Sequence, residues 1–198
     1  MIYGIILAAG EGKRMGKVKL TLPLGNKKLI EWVLQVAKST PLDKWWEDKI
    51  ADYFLVEADG AAGRSVKAPA SHEPVIPLST TDLIGVIGID ALGLSLQEEN
   101  VFRSQIFSRL TGLNLGEKVG IEALAFLIFH PQGLFKNAPL HSKCHLFINK
   151  VDNEIREKLA EELVTQILRY NKKRIDDIII GATHQVTNPV IEVIKRVK

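Results

Sequence analysis

Compact runs of apolar, β-branched residues alternate along this chain with segments of helical period. The stretches at residues 2–7, 53–56, 83–89, 144–148 and 177–180 have the length and composition of buried strands. Residues 28–38 carry Leu29, Trp32, Val33 and Val36 on one helical face, and residues 120–129 form a mostly apolar helix that must stop at His130-Pro131. Residues 154–169 set Ile155, Leu159, Leu163 and Ile167 on one side and charges on the other. Residues 190–197 read as a short terminal amphipathic helix. Strands alternating with helices predict an α/β fold of three layers, a mostly parallel sheet with helices on both faces. In such folds ligands bind at the carboxyl edge of the sheet, so the residues that follow each strand are those to read for chemistry.

Composition narrows the setting. The 198 residues are 46% hydrophobic and 25% charged, enough to build a core without disulfides or metals. A net charge of +3 calls for neither nucleic acid nor an anionic membrane as partner. The longest apolar tract, residues 83–96, is short for a bilayer crossing and contains Asp90. Met1 leads into a strand with no basic start or cleavage site, and the single cysteine, Cys144, suits a reducing compartment. A cytoplasmic protein is expected.

Each strand end carries candidate chemistry. After the first comes a glycine loop with Gly10, Gly12, Arg14 and Lys19, and six cations but no acid lie between Lys13 and Lys28. Glycines that let backbone N–H groups turn toward an anion, with Arg14 and Lys19 beside them, predict a phosphate site; a solvated basic face is the alternative. The strand at 53–56 ends in Glu57 and Asp59, followed by Gly60, Gly63, Arg64 and Lys67. Asp59 is the first candidate for Mg²⁺, with Glu57 and Asp90 next, while Arg64 and Lys67 are candidate anion contacts. A polar loop after a core strand is the competing account.

Asn149-Lys-Val-Asp152 follows a strand in the form of the guanine-reading motif of GTPases. Asp152 would accept from the ring N–H and exocyclic amine, Asn149 and the stem of Lys150 would fix the ring, and Ala182 and Thr183 would lie over the base. Alternatively, Asp152 or Asn153 simply caps the following helix. The chain has no Gly-x-x-x-x-Gly-Lys-Ser/Thr phosphate loop. His72 and Glu73 read as a hydrogen-bonded loop pair. His130, His141, Cys144 and His145 lack the spacing of a zinc site.

Two resemblances add to this reading. Leu7-Ala-Ala-Gly-Glu-Gly-Lys-Arg-Met-Gly-Lys-Val-Lys19, followed by Leu22-Pro-Leu-Gly25, resembles the opening of the MobA-like nucleotidyltransferases, which include the molybdenum cofactor cytidylyltransferases. In that family the loop cradles a nucleoside triphosphate, and residues placed like Arg14 and Lys19 contact its phosphates. From about residue 41 the chain is similar to the YqeC family instead, so segments 1–40 and 41–198 are expected to share one sheet and core. The similarity is carried by the run from Val56 to Pro77, by Gly85-Val-Ile-Gly-Ile-Asp-Ala-Leu-Gly93, Leu110-Thr-Gly112, His130-Pro-Gln-Gly-Leu134 and Ile148-Asn-Lys-Val-Asp152. Val101-Phe-Arg-Ser104 stands where that family is expected to have His-Arg-Pro, which keeps Arg103 as a third candidate anion contact.

The YqeC resemblance implies a P-loop-NTPase-like or Rossmann-like, nucleotide-binding accessory protein for maturation of selenium-dependent molybdenum hydroxylases. Mg²⁺ and a nucleoside triphosphate, GTP or CTP, would be its ligands, and a molybdenum hydroxylase or its cofactor its partner. The MobA-like opening implies transfer of CMP or GMP to a molybdopterin-type acceptor. An inactive binding or scaffold relic of a fusion is the third reading.

Overall fold

The computed structural model describes residues 4–6, 23–24, 27–28, 47–48, 54–170, 174–185 and 187–195. The loop at residues 10–19 and, beyond Lys28, the helix expected at 28–38 lie outside them. The chain forms two compact units, residues 1–60 with 77–79, and residues 61–76 with 80–198. In the first unit, β1 (Gly4–Ile6) pairs in parallel with β4 (Phe54–Val56), and β2 (Pro23–Leu24) pairs antiparallel with β3 (Lys27–Lys28). Glu57 is exposed and Asp59 half-buried just beyond β4.

The second unit is built on a four-stranded sheet. Its strands are β6 (Asp82–Gly88), β8 (Lys143–Asn149), β9 (Asp177–Gly181) and β10 (Val190–Lys195), in the order β10-β9-β8-β6. The first three are mutually parallel, and β10 is antiparallel to β9. A short parallel pair, β5 (Val66–Lys67) and β7 (Val101–Phe102), lies beside this sheet, and Gly88 N donates to Ser65 O at 2.7 Å. Three helices complete the unit: α1 (Ser104–Thr111), α2 (Ile121–Phe129) and α3 (Glu154–Arg169). The expected α/β fold with mostly parallel sheets is present.

Alternation along the strands decides which face is covered. Ile87, Leu146, Ile148, Ile178 and Ile180 join Leu124, Leu127, Leu163 and Ile167 of the helices in one core. On the other face Ile84 is 59% exposed, so β6 is a half-buried strand and not the fully buried one its unbroken apolar run suggested.

α3 has the predicted bounds. The Asn153 side chain accepts from Arg156 N at 3.0 Å, Glu154 and Glu157 lie in the first turn, and Arg169 lies in the last. Its buried stripe is Ala160, Leu163, Val164 and Ile167, whereas Ile155 is 74% exposed. A row of residues four apart drifts about 40° around the helix per step, so the expected 155–159–163–167 row runs off the buried face at its first member.

The expected terminal helix at 190–197 is instead the edge strand β10. Val190, Ile191, Val193 and Ile194 are β-branched, a stretch this short is marginal as a helix, and β9 offers it a row of unpaired backbone groups. α1 was not anticipated; it ends at Gly112, in the left-handed region at φ 77°.

Candidate functional site

Because β6, β8 and β9 run in parallel, the segments that leave them meet at one edge. β6 passes into a 3-10 turn, Ile89–Ala91, that carries Asp90. β8 ends at Asn149, in register with Gly88. β9 ends at Gly181 and leads to Ala182 and Thr183. The Asn149 side-chain oxygen accepts from Lys150 N at 2.8 Å and from Thr183 N and Oγ1 at 3.0 and 3.3 Å. Val151 N donates to Gly181 O at 3.0 Å, a second tie between the same two loops. The sequence-predicted residues Asn149, Lys150, Ala182 and Thr183 are therefore neighbours, with Ala182 buried and Thr183 exposed.

Lys150 sits in the left-handed region at φ 67°, an uncommon place for a long side chain. This backbone sends its ammonium toward the end of β6, where Nζ donates to Ser65 Oγ at 2.6 Å and to Asp90 Oδ2 at 2.9 Å. A Cβ on Gly88 would stand 2.6 Å from Asp90 Oδ1 and 2.7 Å from Ser65 Cβ, so this close approach requires glycine. Burial opposes ionisation of Asp90, but the Ser65 hydroxyl and the Lys150 ammonium outweigh it and hold the carboxyl below its usual range. Asp90 Oδ1 is itself buried and meets no donor in good hydrogen-bond geometry. Ser65 was not among the candidates read from the sequence; nothing in a lone serine beside Arg64 distinguishes it.

Asp152 lies one turn away and is engaged. Arg156 Nη1 donates to both carboxylate oxygens at 2.8 Å and also to Lys150 O at 3.2 Å, and Asn153 Nδ2 donates to Asp152 Oδ1 at 2.9 Å. Of the two alternatives for capping α3, Asn153 performs it.

The three candidate anion contacts also converge, around one ring. Arg64, Lys67 and Arg103 place their cationic centres 6.0, 5.4 and 5.0 Å from the Phe102 centroid. Glu73 already receives two of them. Arg103 forks onto it, Nη2 to Oε1 at 2.8 Å and Nη1 to Oε2, while Lys67 Nζ is 2.8 Å from Oε2. Arg103 first, and Lys67 after it, hold the Glu73 carboxyl far below the usual range against the effect of burial. His72 Nε2 is 3.4 Å from Glu73 Oε1, so the two side chains expected to pair are near each other, but the cations dominate. Lys136, buried, holds the same loop by donating to Ala70 O at 2.6 Å and Ser71 O at 2.9 Å.

At the opposite edge of the sheet His145 bridges two strands, with Nδ1 2.9 Å from Asp177 Oδ2 and Nε2 3.1 Å from Asp82 Oδ1. That histidine bond, chiefly, lowers the Asp82 pKa. Cys144 is buried, which raises its thiol pKa. Among the described residues no group of three or more His, Cys, Asp or Glu is placed to hold a metal ion. No helix among them is long and apolar enough to cross a membrane.

The strand-end loops of this α/β protein gather a lysine, a hydroxyl, a carboxylate and a carboxamide at the carboxyl edge of the sheet, the edge at which folds of this class commonly place ligands. The family described as YqeC protein matches the chain over residues 5–105, just over half of it, and the chain belongs to that family. The matched span begins inside β1 and so includes the glycine loop as well as the segment after residue 41. An uncharacterized protein named YqeC from Escherichia coli (strain K12) is 42% identical over 118 residues, 60% of this chain and 46% of that protein. The chain thus spans about half the length of this curated relative. No solved structure matches it.

Proposed function

We propose that this YqeC-family chain binds a purine nucleotide at the carboxyl edge of β6, β8 and β9, and serves as an accessory protein in the maturation of selenium-dependent molybdenum hydroxylases. The observation that carries the nucleotide reading is the Asn149 carboxamide, which joins the Lys150 and Thr183 loops into one frame. That frame has the parts a base reader uses: a fixed carboxamide, a lysine stem, a small backbone segment and a carboxylate at Asp152. Arg156 holds that carboxylate, so a guanine ring must share or displace it. The accessory role rests on the family resemblance. Titration calorimetry with GDP, GTP, ATP and CTP tests the nucleotide reading. Guanine nucleotides bind best, and Asp152→Ala removes that preference with a loss of about 1–3 kcal/mol. Equal binding of all four, or an Asp152→Ala variant that binds GTP as well as the parent, overturns it. A preference for CTP favours nucleotidyl transfer through the basic glycine loop at residues 10–19.

A further inference from the structure

We infer that Ser65, Asp90 and Lys150 form the divalent-cation and phosphate end of this edge, assembled without a phosphate loop. The inference rests on the nucleotide reading for the identity of the ligand, but not for its test. P-loop nucleoside triphosphatases serve the terminal phosphates with three groups, a lysine, a serine or threonine hydroxyl and an aspartate, the last two on Mg²⁺. This chain lacks that loop, yet it brings the same three groups together from three separate segments: before β5, after β6 and after β8.

Four observations point to a ligand seat and not to an ordinary ion pair. The Lys150 ammonium lies 2.6 and 2.9 Å from two oxygens of different residues, so it occupies the place a small cation would take between them. Asp90 retains a buried oxygen that no donor meets in good geometry. Lys150 is held in the left-handed region at φ 67°, a conformation rare for a long side chain and one that recurs at functional sites. Its side chain is also 34% exposed, so the ammonium has a path outward toward a phosphate, and a cation arriving between Ser65 and Asp90 would replace its charge there.

Once it has rotated, the Ser65 hydroxyl and the Asp90 carboxylate face a vacated position. Mg²⁺ suits such a seat, because it needs few protein oxygens and completes its octahedron with waters and phosphate oxygens at about 2.0–2.1 Å. The absence of a three-carboxylate or histidine cluster among the described residues is consistent with that mode and not with an all-protein cage. Mg²⁺ then belongs to Asp90 and Ser65 in the second unit, and the Lys150 ammonium reads phosphate while its stem remains with the base.

Calorimetric titration of inorganic tripolyphosphate, with and without Mg²⁺, tests this independently of any base. The parent binds Mg-tripolyphosphate, and removing Mg²⁺ weakens binding by at least about tenfold, as expected for charge-assisted contacts. Asp90→Asn abolishes the Mg²⁺ effect. Lys150→Met lowers tripolyphosphate affinity at least about tenfold. Lys150→Met alone strands Asp90, so the Asp90→Asn/Lys150→Met double variant, which removes both charges, is measured beside it with a thermal melt. No tripolyphosphate binding by the parent, or binding that ignores Mg²⁺ and the folded double variant, overturns the inference. Guanine selectivity with no response to these variants leaves the base reading standing alone; a tripolyphosphate response without guanine selectivity leaves this site standing alone.

Discussion

Two lysine–carboxylate contacts in the second unit look alike on paper and differ in kind. At Glu73 the carboxylate is saturated: both oxygens accept from Arg103, Lys67 adds a third contact, and the Lys67 side chain is only 8% exposed. At Asp90 one oxygen takes Lys150, the other has no well-placed donor, and the lysine is reached through an unfavourable backbone conformation. A saturated, enclosed pair knits loops together. An unsaturated one at the carboxyl edge of a parallel sheet retains capacity for a further contact. The sequence reading treated Arg64, Lys67 and Arg103 as anion contacts, and the structure shows an internal carboxylate against two of them.

The comparison breaks most readily at Glu73. Glu73→Ala leaves the enclosed Lys67 and Arg103 without their shared carboxylate and should cost about 2–3 kcal/mol in urea unfolding. Its acid dependence sharpens the contrast. The folded pKa of Glu73 is depressed below its reference of 4.5, so its contribution is fully present above that value and is lost as pH falls below it. Glu73→Gln should flatten the decline of stability below about pH 4.5, and Asp90→Asn should flatten it less. An acid titration in which the two variants behave identically would erase the distinction.

Next in size is Gly88→Ala. Its Cβ would meet Asp90 Oδ1 at 2.6 Å and Ser65 Cβ at 2.7 Å, so Asp90 and Ser65 must separate, at a cost of about 1–2 kcal/mol. Stability should fall modestly while Mg-tripolyphosphate binding is lost. The smallest effect belongs to Arg156→Gln. Asp152 precedes α3 and its pair with Arg156 is part-exposed, a contact that contributes roughly 0.5 kcal/mol, so the melting curve should hardly move. Freed of Arg156, Asp152 should bind GTP more tightly; unchanged GTP affinity argues that Asp152 is not a base reader.

Much of the fold was legible one segment at a time. Residues 120–129 stop where Pro131 forbids a further turn, and α3 starts after a cap residue and two acids. β8 and β9 announce themselves as short apolar runs closed by Asn149 and Gly181. The candidate site was legible in part, because Asn149 ends a strand, Lys150, Thr183 and Asp90 come just after one, and parallel strands bring their ends to one edge. Ser65 was not, and Glu73 was legible only as a loop partner of His72, since the main contacts of both lie far along the chain.

Amino-acid order alone therefore determined the elements whose stability is local: a helix with its cap, a helix ended by proline, a strand closed by glycine. Burial and partnership were decided only by the tertiary structure. Residues 190–195 became a strand because β9 presented an open edge, and Ile155 lies in solvent because the core touches α3 along a different stripe. The same holds for chemistry. Lys150 meets Asp90 and Ser65 across 60 and 85 positions, and Glu73 meets Arg103 across 30. Periodicity and capping report what a residue does to its own backbone and face. Which charge ends beside which is set by how the sheet brings distant loops to one edge, and only the folded chain contains that information.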